Sequence, residues 1–449
     1  MSQSLREFVV ETPLFDDHEH FSTLPALADE QDSYRSIAGY AGADLAVCLG
    51  PEQPGRPHLP APEAAGYDEV FFSAWRKSRN TGYCRATEQA CRDILGLEYQ
   101  EGNVNSISRK LKELKGEDLE ATRRFFTDVL QHRAGVRWAI KDSINMPEQA
   151  DDSLYADFVR LNYRDDQLLV AGTRDTIIER EARWKRTIYT LDELIEGFMD
   201  SITQCLATKK VTSFKIGLAY SRGLDFGFPA RAEAERAFSR LMYVTSGEKV
   251  LRDAERVGTT PASPAIPQLS SAELRPLHDY LVHIYVQRAS DEAKPVQIHT
   301  GYLAGIYNDL RNINPMQLVP LFLRYRTTKF DLFHAGWPYV DELGTIGKNF
   351  PNVWLSLCWA WAMNPITMER ALDAWLDGVP YNKIMGFGGD TGHPVAAYGY
   401  ALQAREGIAR VLEKRVARGD MDEQFAKEVA RAVLLVNGCE LHDLPVSEG

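Results

Sequence analysis

Short apolar runs alternate with helical periods along the second half of the chain. "VTSFKIGLAY" from Val211 reads as a buried strand, and a helical pattern runs from Ser271 to about Ser290. "KPVQIHTGY" at Lys294 reads as a strand, "PMQLVPLFLRYR" as a helix and "FDLFHAGWP" at Phe330 as a strand again. "VDELGTIGKNF" is helical, "NVWLSLCWA" at Asn352 is strand-like, and "ITMERALDAWL" is helical. "KIMGFGGD" at Lys383 closes the series as a strand, before a long helix from Val395 to Arg418. Strands apolar on both faces and separated by helices are the mark of parallel βα units.

Further back, "PLFDDHEHF", "VRWAIKDS" at Val136 and "QLLVAGTRD" at Gln167 supply three more candidate strands. Strands near 14, 136, 167, 212, 296, 330, 353 and 384 predict an α/β fold, a (β/α)8 TIM barrel forming one unit over residues 1–449. An open doubly wound sheet is the alternative, but no G-x-G-x-x-G follows the first strand. Residues 24–132 exceed one βα unit. They hold a Pro/Gly-rich stretch, "GPEQPGRPHLPAPEAAG", and two helical segments, Tyr67–Leu97 and Ile107–Leu130. They predict a helical insertion after strand 1, lying over the strand C-termini as a cap.

Composition narrows the function classes. Acidic residues outnumber basic ones, 63 to 51, for a net charge of −12 and no basic stripe, which argues against nucleic acid as a partner. The most apolar stretch, "WLSLCWAWAM" from Trp354, is about half the roughly 20 residues of a membrane span, and the N-terminus lacks a signal-peptide core. The expectation is a soluble, cytoplasmic protein acting on a small molecule, with homo-oligomeric assembly left open. The six cysteines show no C-x-x-C spacing and read as buried thiols.

The histidines then gain meaning. Residues i and i+2 on a strand point the same way, so His18 and His20 share a face at the end of strand 1. His299 ends strand 5 in "VQIHTG", His334 ends strand 6 in "DLFHAG", and Asp390 ends strand 8 in "GFGGDTGHP". In a (β/α)8 barrel these ends meet at one mouth, where active sites sit. A single histidine at a strand end is usually a hydrogen-bonded structural residue. Four of the ten histidines at strand ends, with a carboxylate on the last strand, instead suit a divalent ion such as zinc.

This constellation resembles the amidohydrolase superfamily, whose opening D-x-H-x-H is met by Asp16, His18 and His20. It is most similar to the amidohydrolase-related branch. The second half resembles the barrel domain fused to glutamine-synthetase-like domains in nodulin-type proteins, through "FKIGLAYSRGL", "QIHTGY", "LFHAGWPY", "NVWLSL" and "GFGGDTGHP". This chain carries no glutamine-synthetase-like half, and has "GGDTGHP" where a shorter S-T-D-type segment is common.

The resemblance implies a divalent ion, zinc first and manganese second, held by His18, His20, His299 and Asp390. Asp390 would be a ligand or the proton-transfer carboxylate, and His334 a further ligand or a polariser of the substrate carbonyl. In two-metal relatives a carboxylated lysine on strand 4 bridges the ions. Lys215 holds that place, but could equally bind a substrate carboxylate with Arg222, or simply pack on the barrel. Tyr302 and Trp337 are candidate pocket walls, as are Trp359 and Trp361, for which core packing is the alternative. The activity implied is metal-dependent hydrolysis of an amide or ester-like bond in a small carboxylated molecule. Decarboxylation or uronate isomerisation on the same barrel is the alternative chemistry, and a ligand-binding barrel without turnover is the alternative class.

Overall fold

The structure is a computed structural model, and it describes residues 3–22, 26, 33–51, 59–62, 64–143, 157–243 and 269–447. Eight parallel strands lie in sequence order: β1 (Leu14–Glu19), β2 (Val136–Lys141), β3 (Val159–Tyr163), β4 (Val211–Ile216), β5 (Val296–Ile298), β6 (Phe330–Leu332), β7 (Val353–Ser356) and β8 (Ile384–Met385). The seam between β8 and β1 is joined by the chain just beyond β8. Asp17 N–H donates to the Phe387 carbonyl at 3.3 Å, Asp390 N–H to His18 at 2.7 Å, and His20 N–H to Thr391 at 3.1 Å. This is the (β/α)8 barrel that the alternating pattern predicts.

Strand 3 is the exception. "QLLVAGTRD" does not form it; Asp166–Leu169 is a short helix whose N-cap, Asp165, accepts from Leu168 N–H. The strand is the preceding Val159–Tyr163, "VRLNY". Its two polar residues hide it from a search for apolar runs. Asn162 is fully buried and hydrogen-bonds within the barrel, while the Arg160 guanidinium stacks on the Trp138 ring at 4.4 Å.

The barrel interior is unusually polar. Lys215, Gln297 and Asp331 are register partners on successive strands, and all are buried. Gln297 Nε2 donates to the Asp17 carbonyl at 2.9 Å, and Ser213 Oγ donates to Gln297 Oε1 at 3.2 Å. The flanking residues Phe214, Val296, Phe330 and Val353 form the neighbouring apolar row. Gln297 is satisfied by these bonds, whereas Lys215 Nζ and the Asp331 oxygens have no hydrogen-bond partner among the described residues.

Between β1 and β2 the chain forms the helices Ala41–Leu49, Tyr67–Ser78, Gly82–Ala90, Val104–Lys115 and Leu119–Thr127. The two longer helices expected there are thus each divided. One break falls after Ser78, and the other at Gly116, whose φ of +77° ends its helix in the left-handed region that glycine favours.

The glycines after β8 also have a physical reason. A Cβ on Gly388 would strike Asp17 Oδ1, and one on Gly389 would strike Glu19 Oε1. Close approach is what they permit, and β1 carboxyl groups are what approach.

Candidate metal centre

β1 fastens the loop that carries Asp390. Asp16 Oδ1 accepts from Gly389 N–H at 3.0 Å, and Glu19 Oε2 accepts from Thr391 N–H at 2.7 Å. Burial pushes the Asp16 carboxyl up to about 7 and Glu19 well above its usual range, and the two are hydrogen-bonded to each other. The first residue of the D-x-H-x-H motif therefore positions Asp390 by holding its neighbour. The two histidines of the motif face the mouth.

There the expected residues converge. Asp390 Oδ1 lies 3.0 Å from His20 Nε2 and 3.9 Å from His18 Nε2, while Oδ2 lies 3.5 Å from His334 Nε2. His334 Nε2 in turn faces His299 Nδ1 at 3.0 Å. His18, His20, His299, His334 and Asp390 thus form one cluster. Two of its members are held at unusual backbone angles: His334 has φ +63° and Asp390 φ +50°. Strain of this kind in non-glycine residues concentrates at functional sites.

The tautomers point to a cation. His334 Nδ1–H donates to the Cys358 carbonyl at 3.0 Å, and His299 Nε2–H donates to the Tyr302 carbonyl at 2.9 Å. A carbonyl can only accept, so in the neutral rings the two nitrogens facing each other are both lone pairs. Burial lowers the His334 imidazole to about 4 against the pull of Asp390. It likewise drives His299 and His18 well below their ordinary value, helped in both by the Lys215 charge. The rings are neutral near pH 7. Opposed lone pairs beside a carboxylate fit a divalent ion, whose ligands are neutral imidazoles and ionised carboxylates.

Two residues here escape the sequence reading. Asp142, just past β2, is buried with Oδ2 3.4 Å from His18 Nε2 and 3.9 Å from His20 Nδ1. Asp390 is therefore not the only carboxylate at the mouth. Arg164, just past β3, donates to Asp142 at 2.5 Å and to Asp166 at 2.7 Å. Asp142 ends "VRWAIKDS", a place that marks it only once His18 and His20 are seen beside it; Arg164 was hidden by the misplacement of strand 3. Asp142 with His18 and His20, and Asp390 with His334 and Cys358, form two groups whose donor atoms lie within 4.8 Å of one another.

Lys215 reaches this region from β4. Its Nζ sits 3.5 Å over the Phe333 ring and has no hydrogen-bond acceptor among the described residues. Burial lowers it to about 8, while Asp142 and Asp390 work to keep it charged. Arg222 is not brought into the cluster. Its Nη1 pairs with Asp279 Oδ1 at 2.7 Å, and its guanidinium lies 5.2 Å from the Phe226 ring. An arginine so engaged is a structural tie between the loop after β4 and the helix Ser271–Asp291. The Tyr302 ring packs 5.1 Å from Trp337 and 6.1 Å from Trp359, and Trp359 stands edge-on to His334 at 5.2 Å. Trp361 is buried and donates to the Gly386 carbonyl at 2.9 Å, so its role is packing.

The family model described as Amidohydrolase matches residues 272–438. Protein fluG of Emericella nidulans is 26% identical over 254 residues, which is 55% of this chain and 27% of that protein. The chain thus spans about a quarter of the length of that curated relative. Among solved structures, uronate isomerase of Thermotoga maritima overlays with a TM-score of 0.74 at 13% identity, covering 98% of this chain and 96% of that one. Glucuronate isomerase of Caulobacter crescentus gives 0.71 at 16%, covering 99% and 95%. An inferred metal-dependent hydrolase of Lactobacillus casei gives 0.65 at 17%, covering 99% and 98%. At these identities the overlays speak for the fold. The D-x-H-x-H strand, the histidine cluster and the family match over residues 272–438 are features that this chain shares with the amidohydrolase superfamily.

Proposed function

We propose that this chain is a metal-dependent hydrolase that cleaves an amide or ester-like bond in a small carboxylated molecule. The observation that carries the reading is Asp390, with one oxygen towards His20 and the other towards His334. His18, His20, His299 and Asp390 would hold the ion, zinc or manganese by the chemistry of the donors, with Asp142 beside the first pair. A divalent ion bound there polarises a substrate carbonyl and acidifies water at the site.

The chain's own residues supply the rest. Burial would raise the Asp390 carboxyl, but the His20 hydrogen bond and nearby positive charge hold it below its usual value. Ionised, it takes the proton of the attacking water and returns it to the departing nitrogen or oxygen. His334, anchored through Nδ1 on the Cys358 carbonyl, presents Nε2 to the same space. Lys215 offers an unpaired ammonium for a substrate carboxylate, screened from water.

A second reading is isomerisation of a uronate, since two of the overlaid structures are uronate isomerases. A panel of N-acyl amino acids, γ-glutamyl amides, uronates and aromatic carboxylates, run at known metal content, separates the two. Release of amine or acid supports hydrolysis, and interconversion of a uronate without release supports the isomerase. Bound metal with no turnover on any member would favour a ligand-binding barrel.

A further inference from the structure

Beside the metal centre lies a cavity of about 440 Å³, within the range of small-molecule sites. It opens between the end of helix Ala41–Leu49 and the loop that follows β5. Val47, Ile306, Tyr307 and Leu310 line it, and Tyr302 forms the wall towards the histidines. Asn308 and the hydroxyls of Tyr302 and Tyr307 are the polar side-chain groups among its lining residues, and the Asn308 amide already donates to the Leu303 and Ala304 carbonyls.

Two features mark this as more than a dent in the surface. Two of its aliphatic side chains are exposed: Val47 by 69% and Leu310 by 45%. Exposed apolar groups gathered at a barrel mouth read as a binding surface. The cavity also adjoins the metal centre across one residue. The Tyr302 carbonyl accepts from His299, and the Tyr302 ring packs on Trp359, which packs on His334.

From this we infer that the cavity is the subsite for the non-reacting end of the substrate, and that this end is apolar, an aryl or branched alkyl group. The inference rests on the hydrolase reading and sharpens it. Val47, Ile306 and Leu310 give a polyhydroxylated sugar acid no hydrogen-bond partner, so the cavity favours an apolar end over a uronate. Binding energy gathered remotely in this way can be used at the reacting bond.

The test uses metal-reconstituted protein, its metal content measured first, and three probes: N-benzoylglycine, N-acetylglycine and D-glucuronate. Binding is measured by calorimetry, or as KM where a probe turns over. Burying a phenyl group predicts that the benzoyl compound binds about tenfold to a hundredfold more tightly than the acetyl one. The double variant Val47→Asn with Leu310→Asn changes two exposed side chains without adding charge. It should cut that preference at least about fivefold, a change of about 1 kcal/mol, and leave N-acetylglycine and metal content unchanged. Equal binding of the two glycine derivatives, a preference that survives in the double variant, or D-glucuronate binding tightest would overturn the inference. Failure of the wild type to hold metal would instead strike the hydrolase reading, which separates the two failures.

Discussion

Replacing Asp390 by asparagine isolates one property of the site. Asp390 sits at φ +50°, and asparagine is among the few non-glycine residues that tolerate this region, so the backbone should hold. Its N–H bond to the His18 carbonyl, 2.7 Å, does not involve the side chain and survives. What changes is the charge and basicity of two oxygens that lie 3.0 Å from His20 and 3.5 Å from His334. A positioned acid/base contributes about 10²–10⁴ in rate, or roughly 3–5 kcal/mol of barrier. The variant should therefore lose about that much in kcat/KM, concentrated in kcat, while His18, His20 and His299 retain part of the metal. The assay is steady-state turnover of a substrate found in the panel, at matched metal loading. Because Asp390 is held below its ordinary value, it should give no acid limb in the wild-type pH profile at neutral or mildly acidic pH. An Asn variant turning over within a few-fold of wild type, at equal metal, would remove Asp390 from proton transfer.

Three further outcomes are expected. Lys215→Ala should raise KM by about tenfold or more while leaving most of the metal, because its ammonium has no acceptor but lies in the site; if the wild type holds two ions and the variant loses one, a metal-bridging lysine is the better account. Gly389→Ala should lower stability by about 1–3 kcal/mol in chemical denaturation, since its Cβ would strike the Glu19 carboxyl, and an unchanged midpoint would contradict the packing described. Asp331→Asn should stabilise the metal-free protein at alkaline pH. Burial raises Asp331 to about 7, so the wild type holds its full stability below the unfolded value near 3.8 and loses it as pH rises through 7. The variant, which cannot ionise, should gain more stability at about pH 8 than at about pH 5, and an equal gain at both would show that the carboxyl does not titrate this way.

Much of this barrel can be read from residue patterns, and the failures have physical causes. β4 to β7 are legible because they share an apolar row, Phe214, Val296, Phe330 and Val353. β3 is not, because its Asn162 turns inward to a polar lumen and its Arg160 stacks on Trp138. The apolar "QLLVA" next to it is the better match to a buried strand, yet Asp165 caps it into a helix. That single slip conceals Arg164 and with it the anchor of Asp142.

The histidines were findable because strand periodicity and barrel topology together bring distant residues to one rim. Asp142 was not singled out, because one aspartate after a strand carries no signal until His18 and His20 are seen beside it. Arg222 looked available for substrate in sequence. Only the fold shows that the helix Ser271–Asp291 supplies Asp279 as its partner.

The claim on which the rest depends is that the histidine cluster holds a divalent ion. The most direct test is elemental analysis of the purified protein by plasma mass spectrometry, beside the double variant His18→Ala with His20→Ala, both confirmed as folded by circular dichroism. The account predicts at least near-stoichiometric divalent metal in the wild type and loss of most of it in the variant. A folded variant that retains the full wild-type metal content, or a wild type that takes up none when zinc or manganese is supplied, would contradict it.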